Sequence, residues 1–266
     1  MIRQRFILLS FDVEEFDMPL EYGNHITVAD QLNTGYNGLL RTKELLSTFN
    51  IAVTLFTTAH FADHFPDIIR ELSLSHEIAS HTYYHSAFEI SHLKESRLVL
   101  EKITGQKITG LRMPRMKRIL TRDVADAGYR YDSSVNPIWL PGRYNNLNRP
   151  RRVFAENDLV RIPASVSTFM RIPLFWLSFK NLPYSLYLKL VLQALKKDAY
   201  VCLYFHPWEL IDLSSFRIPG YTKKPSGDIF IKKLERLITD LKKEAQFITM
   251  ESFVNAYYWP ISDQSH

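Results

Sequence analysis

The sequence predicts a single α/β domain whose parallel strands close, or nearly close, into a barrel. The chain has 266 residues, close to the roughly 250 that such a barrel needs. Short apolar runs alternate with helical stretches along the chain, without a linker or an internal repeat. Polar and charged residues follow directly after several predicted strands, which is where barrels of this class carry their chemistry.

The predicted elements follow one another in a regular order. Strands are expected over residues 5–11, 51–58, 77–81, 107–114, 129–135, 159–165, 199–207 and 246–250. Helices are expected over residues 35–49, 60–72, 92–105, 121–129, 183–198 and 229–245. This alternation is typical of parallel strands joined by crossover helices, and about seven such units account for the chain.

The composition is that of an ordinary globular protein. Hydrophobic residues make up 46% and charged residues 23% of the chain, which excludes a disordered protein. The single cysteine, Cys202, excludes an internal disulfide framework and a cysteine-based zinc site. The apolar run from Phe6 to Phe11 is too short for a signal peptide or a membrane helix. We therefore expect a cytoplasmic location, with a leader removed from the chain as the alternative.

The net charge of +5 raises the question of nucleic-acid binding. We expect none, because the basic residues are spread along the chain. The densest cluster, RYNNLNRPRR (143–152), has the composition of a loop, and contact with an anionic substrate or a membrane surface is the alternative. The aromatic segment 169–190 is expected to pack on the barrel, with peripheral membrane contact as the minority hypothesis. The oligomeric state stays open.

Candidate functional residues collect where predicted strands end. In chain order they are Asp12, Glu14, Glu15, Asp17, His81, His85, Arg112, Arg115, Asp132, His206 and Glu209. A random distribution would not concentrate these polar residues at one edge of the sheet. The distribution therefore predicts an active site at one mouth of the barrel.

The stretch HEIASHTYYH (76–85) holds three histidines. His76 and His81 are five positions apart and point to opposite faces of an extended strand, whereas His81 and His85 share a face if one helical turn follows His81. Such a pair can bind a transition metal, although a solvated or packed pair is the commoner outcome. An anionic ligand would come from Asp12 or Glu14, which lie on one face of their strand, with the other residue acting as general base.

Two further residues complete this hypothesis. His206, at the end of an apolar strand and before a proline, could be a general acid or a satisfied core histidine. Arg112 could orient Asp12 through a charge-assisted pair or lie on the surface before a proline turn.

Together these residues resemble the polysaccharide deacetylase family with the NodB homology domain, carbohydrate esterase family four. The resemblance rests on five ordered motifs that cover most of the chain: SFDVE (10–14), HEIASHTYYH (76–85), LRMP (111–114), YDSS (131–134) and YFHPWE (204–209). It implies a distorted (β/α)7 barrel that binds one divalent metal, most often zinc. It also implies hydrolysis of N- or O-acetyl groups on sugars.

The resemblance also implies roles for individual residues. His81 and His85 match the metal-binding histidines, Asp12 the catalytic base, His206 the catalytic acid and Arg112 the arginine that tunes the base. His76 matches a mainly structural position.

Two positions depart from the family pattern. Val13 stands where the family's aspartate ligand is usual, so Glu14, two residues after Asp12, is expected to be the ligand. Arg115 replaces an aromatic residue whose backbone N–H helps to form the oxyanion hole. The residues expected to bind substrate are Arg115, Asp132, Trp208 and Tyr84.

The function expected from these features is removal of an acetyl group, most often N-acetyl, from a sugar, an oligosaccharide or a nucleotide- or lipid-linked sugar in glycan biosynthesis. Two alternatives stay open. One is an allantoinase-like or other non-peptide amide hydrolase of the same fold that needs no metal. The other is an inactive carbohydrate-binding relative.

Overall fold

The structure, a computed structural model, describes residues 4–256. Its strands are β1 (Phe6–Val13), β2 (Thr54–Thr57), β3 (Glu77–Ser80), β4 (Gly110–Leu111), β5 (Tyr131–Asp132), β6 (Trp139–Leu140), β7 (Tyr144–Asn145), β8 (Phe154–Glu156), β9 (Leu159–Arg161), β10 (Tyr200–Phe205) and β11 (Gln246–Phe247). Its α-helices are α1 (Met18–Glu21), α2 (Val28–Phe49), α3 (Ala59–His64), α4 (Pro66–Leu72), α5 (Ser91–Thr104), α6 (Thr121–Asp126), α7 (Trp176–Asn181), α8 (Tyr184–Asp198), α9 (Gly220–Lys223), α10 (Gly227–Lys242) and α11 (Met250–Ala256). Two 3-10 turns, Pro114–Met116 and Pro207–Leu210, follow β4 and β10.

The predicted α/β barrel class is confirmed. Among the described residues, seven parallel strands follow one another in the order β10–β1–β2–β3–β4–β5–β9. The sheet curls so that its two ends approach each other: the backbone N–H of Ser165, just after β9, donates to the carbonyl of Cys202 in β10 at 2.9 Å. The Ser165 hydroxyl in turn accepts from the N–H of Cys202 at 2.8 Å. This short seam takes the place of a full strand pairing and makes the barrel a distorted one.

The alternation of side chains along β1 sets the layers of the fold. Ile7, Leu9 and Phe11 pack outward against the helices, whereas Leu8 belongs to a second buried cluster inside the barrel. Phe253 of α11 also belongs to this inner cluster. Side chains two positions apart on a strand share a face. Ser10 and Asp12 therefore point to the same side of β1 as Leu8, and they lie closer to the mouth of the barrel.

Most predicted elements are found, with two informative differences. The helix predicted over 35–49 is α2, which begins earlier, at Val28, because the Thr27 hydroxyl caps it by accepting from the N–H of Asp30 at 3.1 Å. The helix predicted over 60–72 is two helices, α3 and α4, because Pro66 cannot continue the hydrogen-bond ladder of α3.

The region between β5 and α7 departs furthest from the prediction. It holds the β6–β7 hairpin and β8, which pairs antiparallel with β9. The basic segment 143–152, predicted as a loop, therefore contains a short strand, Tyr144–Asn145. Aromatic residues of 169–190 are largely core: Phe175 and Phe179 are buried, whereas Phe169 is 96% exposed.

Within the part of the chain that the structure describes, no helix combines the length and the apolar character required to cross a membrane.

Helix α2 lies directly against the turn that follows β10, and Gly38 is the point of contact. A Cβ atom at this position would lie 2.3 Å from the carbonyl oxygen of Pro207 and 2.7 Å from the nitrogen of Trp208. Both atoms are backbone, so they cannot move aside as a flexible side chain would.

We expect Gly38→Ala to lower the free energy of unfolding by about 1–3 kcal/mol, the range typical of overpacking. Urea denaturation measures this change. Gly220→Ala is the matched control, because a Cβ there meets no atom within 4 Å. Equal stability of the two variants would contradict the predicted close contact.

Candidate metal centre and active site

The end of β1 delivers two carboxylates to the mouth of the barrel. Asp12 and Glu14 continue the inward row of Leu8 and Ser10, as the alternation along the strand predicts. Both carboxylates are buried. Both also line a cavity of about 320 Å3 at this mouth.

Glu14, His81 and His85 form a compact cluster. One ligand atom from each of the three lies within 4.8 Å of the others. The Oε2 atom of Glu14 is 3.1 Å from Nε2 of His81 and 3.1 Å from Nε2 of His85. The structure therefore brings together the three residues predicted to bind metal.

The route that pairs the two histidines is not the helical turn considered from their spacing. No α-helix follows β3 directly; the described chain instead turns sharply at Thr82, whose φ is +63°. The N–H of Thr82 donates to Oγ of Ser80 at 3.1 Å, and its hydroxyl donates to the carbonyl of Tyr84 at 3.1 Å. A β-branched residue in this region is costly, so local hydrogen bonds hold a conformation that sets the imidazole centroids 5.7 Å apart.

In both imidazoles, Nδ1 has a hydrogen-bond partner. Nδ1 of His81 bonds to the carbonyl of Arg112 at 2.7 Å, and Nδ1 of His85 bonds to Oδ1 of Asp17 at 2.8 Å. The other oxygen of Asp17 accepts from Arg115 at 2.8 Å. Such partners fix the tautomer and aim Nε2 of each ring at Glu14.

The charges of the cluster shift its own pKa values. Burial alone raises the pKa of Glu14, but the nearby imidazoles of His85, His81 and His206 lower it overall. Burial alone lowers the pKa of His85, but the charge of Glu14 and the hydrogen bond and charge of Asp17 raise it to about 9. A carboxylate surrounded by imidazoles in this way is kept ionised.

The cluster fits a divalent metal. Oε2 of Glu14 is buried without a hydrogen-bond partner, while Oε1 accepts from Nε1 of Trp208 at 3.1 Å. An orphaned buried carboxylate oxygen is costly unless a further group binds it. Two imidazole nitrogens and one carboxylate oxygen, with space beside them, are donors that suit a divalent transition metal.

Asp12 is fixed by a buried arginine. Arg112 donates to Oδ1 of Asp12 at 2.6 Å and to Oγ of Ser10 at 2.9 Å. It also donates to Oγ of Ser133 at 3.0 Å, and its guanidinium lies 4.1 Å from the ring centre of Phe56. The surface alternative for Arg112 is therefore wrong: the side chain is fully buried and orients Asp12.

His206 lies on the opposite side of the cluster. Its Nε2 is 3.9 Å from Oδ2 of Asp12 and 4.0 Å from Oε1 of Glu14. Its Nδ1 bonds to Oε1 of Glu209 at 3.0 Å. Burial lowers the pKa of His206, but the Glu209 bond and the nearby carboxylates raise it overall, so Nε2 keeps its proton to higher pH than in a free imidazole.

Below His206 lies a buried lysine. Nζ of Lys180 is 3.4 Å from Oε2 of Glu209 and donates to the carbonyl of Thr222 at 2.7 Å. Burial lowers the pKa of Lys180, and the Glu209 charge opposes this. Glu209 thus fixes the imidazole of His206, and Lys180 in turn fixes Glu209.

The residues predicted to bind substrate occupy different places. Trp208 and Arg115 line the 320 Å3 cavity. Tyr84 lies outside that lining and packs on Tyr83 and His92.

The fourth substrate-binding candidate, Asp132, is fully buried. Its carboxylate accepts from the N–H of Ser134 at 3.0 Å and lies 3.0 Å from Arg161. In the structure the carboxylate of Asp132 therefore makes internal contacts with Ser134 and Arg161, and its predicted role in substrate binding stays a prediction.

Sequence reasoning missed three contributors. Asp17, noted only as one of the strand-end acids, orients His85, and Lys180 supports Glu209. Trp176 packs edge-on against His206 with ring centres 5.2 Å apart. The signal available for Asp17 was its place in the acidic cluster after β1, whereas Lys180 and Trp176 lie in an aromatic segment without any motif.

Comparison with known families agrees with this geometry. Residues 26–131 match the polysaccharide deacetylase family model. This part of the chain carries the polysaccharide deacetylase family-model domain. Residues 133–255 match a domain of unknown function (DUF3473). No curated protein matches the chain significantly.

Solved structures share the fold of this chain. A protein from Mycobacterium smegmatis assigned as a polysaccharide deacetylase has 19% identity and a TM-score of 0.62, over 94% of this chain and 89% of that one. Puue allantoinase has 19% identity and a TM-score of 0.58 over the same shares. The Bc1960 peptidoglycan N-acetylglucosamine deacetylase has 16% identity and a TM-score of 0.52, over 95% and 89%.

The two matched segments divide the site between them. His81, His85 and Arg112 lie in the first segment, and His206 lies in the second, whereas Asp12 and Glu14 precede both. The candidate site thus draws residues from both matched segments and from the chain before them.

Proposed function

We propose that this chain is a metal-dependent hydrolase that removes an N-acetyl group from a sugar, an oligosaccharide or a nucleotide- or lipid-linked sugar in glycan biosynthesis. One observation carries the proposal: the orphaned Oε2 of Glu14 faces two histidine Nε2 atoms at 3.1 Å. A base and an acid, Asp12 and His206, lie beside it. Zinc is the proposed metal, because the donors are two imidazoles and one carboxylate.

The chain's own residues supply both proton transfers. When bound, the metal polarises the acetyl carbonyl and lowers the pKa of a water. Oδ2 of Asp12, left free by the Arg112 bond to Oδ1, accepts the proton of the attacking water. Nε2 of His206 donates its proton to the sugar nitrogen as the C–N bond breaks, giving acetate and a free amine. The backbone N–H of Arg115 is the proposed donor to the oxyanion.

The experiment that tests this function combines metal analysis with acetate release. We expect about one bound divalent metal per chain and acetate release from at least one of a panel of N-acetylated sugars and nucleotide sugars. Treatment with a chelator should abolish the release, and added zinc should restore it. Acetate release that persists after complete metal removal would contradict the mechanism.

The same panel separates the alternatives. Amide hydrolysis without bound metal would favour an allantoinase-like enzyme. Sugar binding without acetate release from any substrate would favour an inactive carbohydrate-binding relative.

The cytoplasmic location and peripheral membrane contact are further proposals. Exposed apolar side chains in the 169–190 segment support the membrane proposal: Phe169 is 96% and Met170 75% exposed. Co-sedimentation with liposomes tests this contact.

A further inference from the structure

A second, larger cavity opens next to the candidate metal centre. Its volume is about 870 Å3, compared with about 320 Å3 for the cavity that holds Asp12 and Glu14. The two cavities share His85, Arg115, Met116, Arg143 and Tyr144 in their linings. A ligand whose reacting group lies at the metal centre can therefore extend directly into the larger space.

The larger cavity, which we call the basic cavity, is strongly positive. One carboxylate, that of Glu156, lines it against six cationic side chains. These six are Arg115, Lys117, Arg118, Arg143, Arg149 and Arg161. An enclosed surface of one charge sign concentrates ligands of the opposite sign.

Ion pairs neutralise only part of these charges. Arg115 and Arg143 share the carboxylate of Glu21, and Arg115 also pairs with Asp17. Arg149 and Arg161 share the carboxylate of Glu156, and Arg161 also pairs with Asp132. These four arginines thus face four carboxylates, and the excess of positive charge in the cavity comes from Lys117 and Arg118.

The two remaining cationic side chains, Lys117 and Arg118, are the least neutralised by carboxylates. Over the described range 4–256, neither Lys117 nor Arg118 has a carboxylate within 4.0 Å. Both are exposed, and Lys117 lies over the ring of Phe88 at 5.3 Å. They follow directly on Arg115 and Met116, whose φ angles of +55° and +53° turn the chain along the cavity.

We propose that the basic cavity binds the phosphate or diphosphate group of an acetylated sugar whose acetyl group reaches the candidate metal centre. Arginine and lysine donors suit phosphate oxygens. The inference rests on the proposed deacetylase function and names its substrate class. A nucleoside diphosphate sugar and a lipid diphosphate sugar both present this chemistry.

Calorimetric binding tests the cavity without requiring turnover. The probes are a nucleoside diphosphate N-acetylated sugar, a lipid diphosphate N-acetylated sugar in detergent micelles, inorganic pyrophosphate and an unphosphorylated N-acetylated disaccharide. The variant is Lys117→Gln/Arg118→Gln. We expect about tenfold weaker binding of the diphosphate probes to this variant, with unchanged binding of the disaccharide.

The control is Lys196→Gln/Lys197→Gln, which removes two exposed adjacent lysines from the end of α8. It should bind every probe as the unmodified chain does. Equal losses of diphosphate binding in both variants, or no diphosphate binding by the unmodified chain, would overturn the proposal.

The two diphosphate sugars distinguish the source of the phosphate, because the physiological one should give the higher kcat/KM for acetate release. Charge-dependent binding without acetate release from any probe would support the phosphate site and overturn the deacetylase function. Acetate release that is equal for phosphorylated and unphosphorylated sugars, and unaffected in Lys117→Gln/Arg118→Gln, would support the deacetylase function and overturn the phosphate site.

Discussion

Glu14→Gln should bind metal far more weakly than the unmodified chain and release almost no acetate. The amide keeps the shape of the side chain but removes the one anionic donor of the cluster, Oε2, which faces His81 and His85 at 3.1 Å. The loss should exceed the roughly 10- to 100-fold that removal of an outer partner costs. Metal content by mass spectrometry and acetate release by a coupled assay measure the two effects.

Two variants of neighbouring residues control this experiment. Glu15→Gln changes an adjacent buried carboxylate that bonds to Thr58 and His60, so metal content should not change. Trp208→Phe removes the hydrogen bond to Oε1 of Glu14 and should weaken metal binding by about tenfold. If Glu14→Gln retained a full complement of metal, Glu14 would not be a ligand.

Asp12→Asn should lower kcat by about 10²- to 10⁴-fold, the usual contribution of a general base. Metal content should stay near that of the unmodified chain, because Asp12 lies outside the Glu14, His81 and His85 cluster. The substitution also leaves the buried Arg112 without its carboxylate. We therefore expect a lower free energy of unfolding, by about 3–5 kcal/mol.

Ser133→Ala separates the two effects of Asp12→Asn. It removes a hydroxyl that accepts from Arg112 at 3.0 Å but keeps the proposed base. It should lower stability while kcat stays within about tenfold of the unmodified value. A comparable collapse of kcat in Ser133→Ala would assign the Asp12 effect to misplaced structure and would count against its role as base.

The sequence was sufficient to predict much of the fold and site for physical reasons. Strand periodicity alone places Asp12 and Glu14 on one face, and parallel strands bring their carboxyl ends to one edge. The structure therefore brings His81, His85, Arg112 and His206 to the carboxylates of β1 as expected. Val13 stands at the family's aspartate position without disturbing the site, because its side chain points outward into the core while Glu14 points inward.

Other contacts could not be predicted, because they depend on backbone turns or on distant packing. A left-handed Thr82 contradicts its own residue preference, so spacing alone suggested a helical turn for His81 and His85. Lys180 reaches Glu209 from a different helix, and no local pattern links the two. The hairpin of β6 and β7 has strands of two residues each, too short for any periodicity.

The strand order shows that the boundary between the two matched segments does not separate two folding units. The first match ends at residue 131, within β5, and the second begins at residue 133. β5 pairs with β9, and β1 pairs with β10. The second segment is therefore no separable module: each half exposes two unpaired strand edges that the other half covers. The whole barrel should therefore unfold as one cooperative unit.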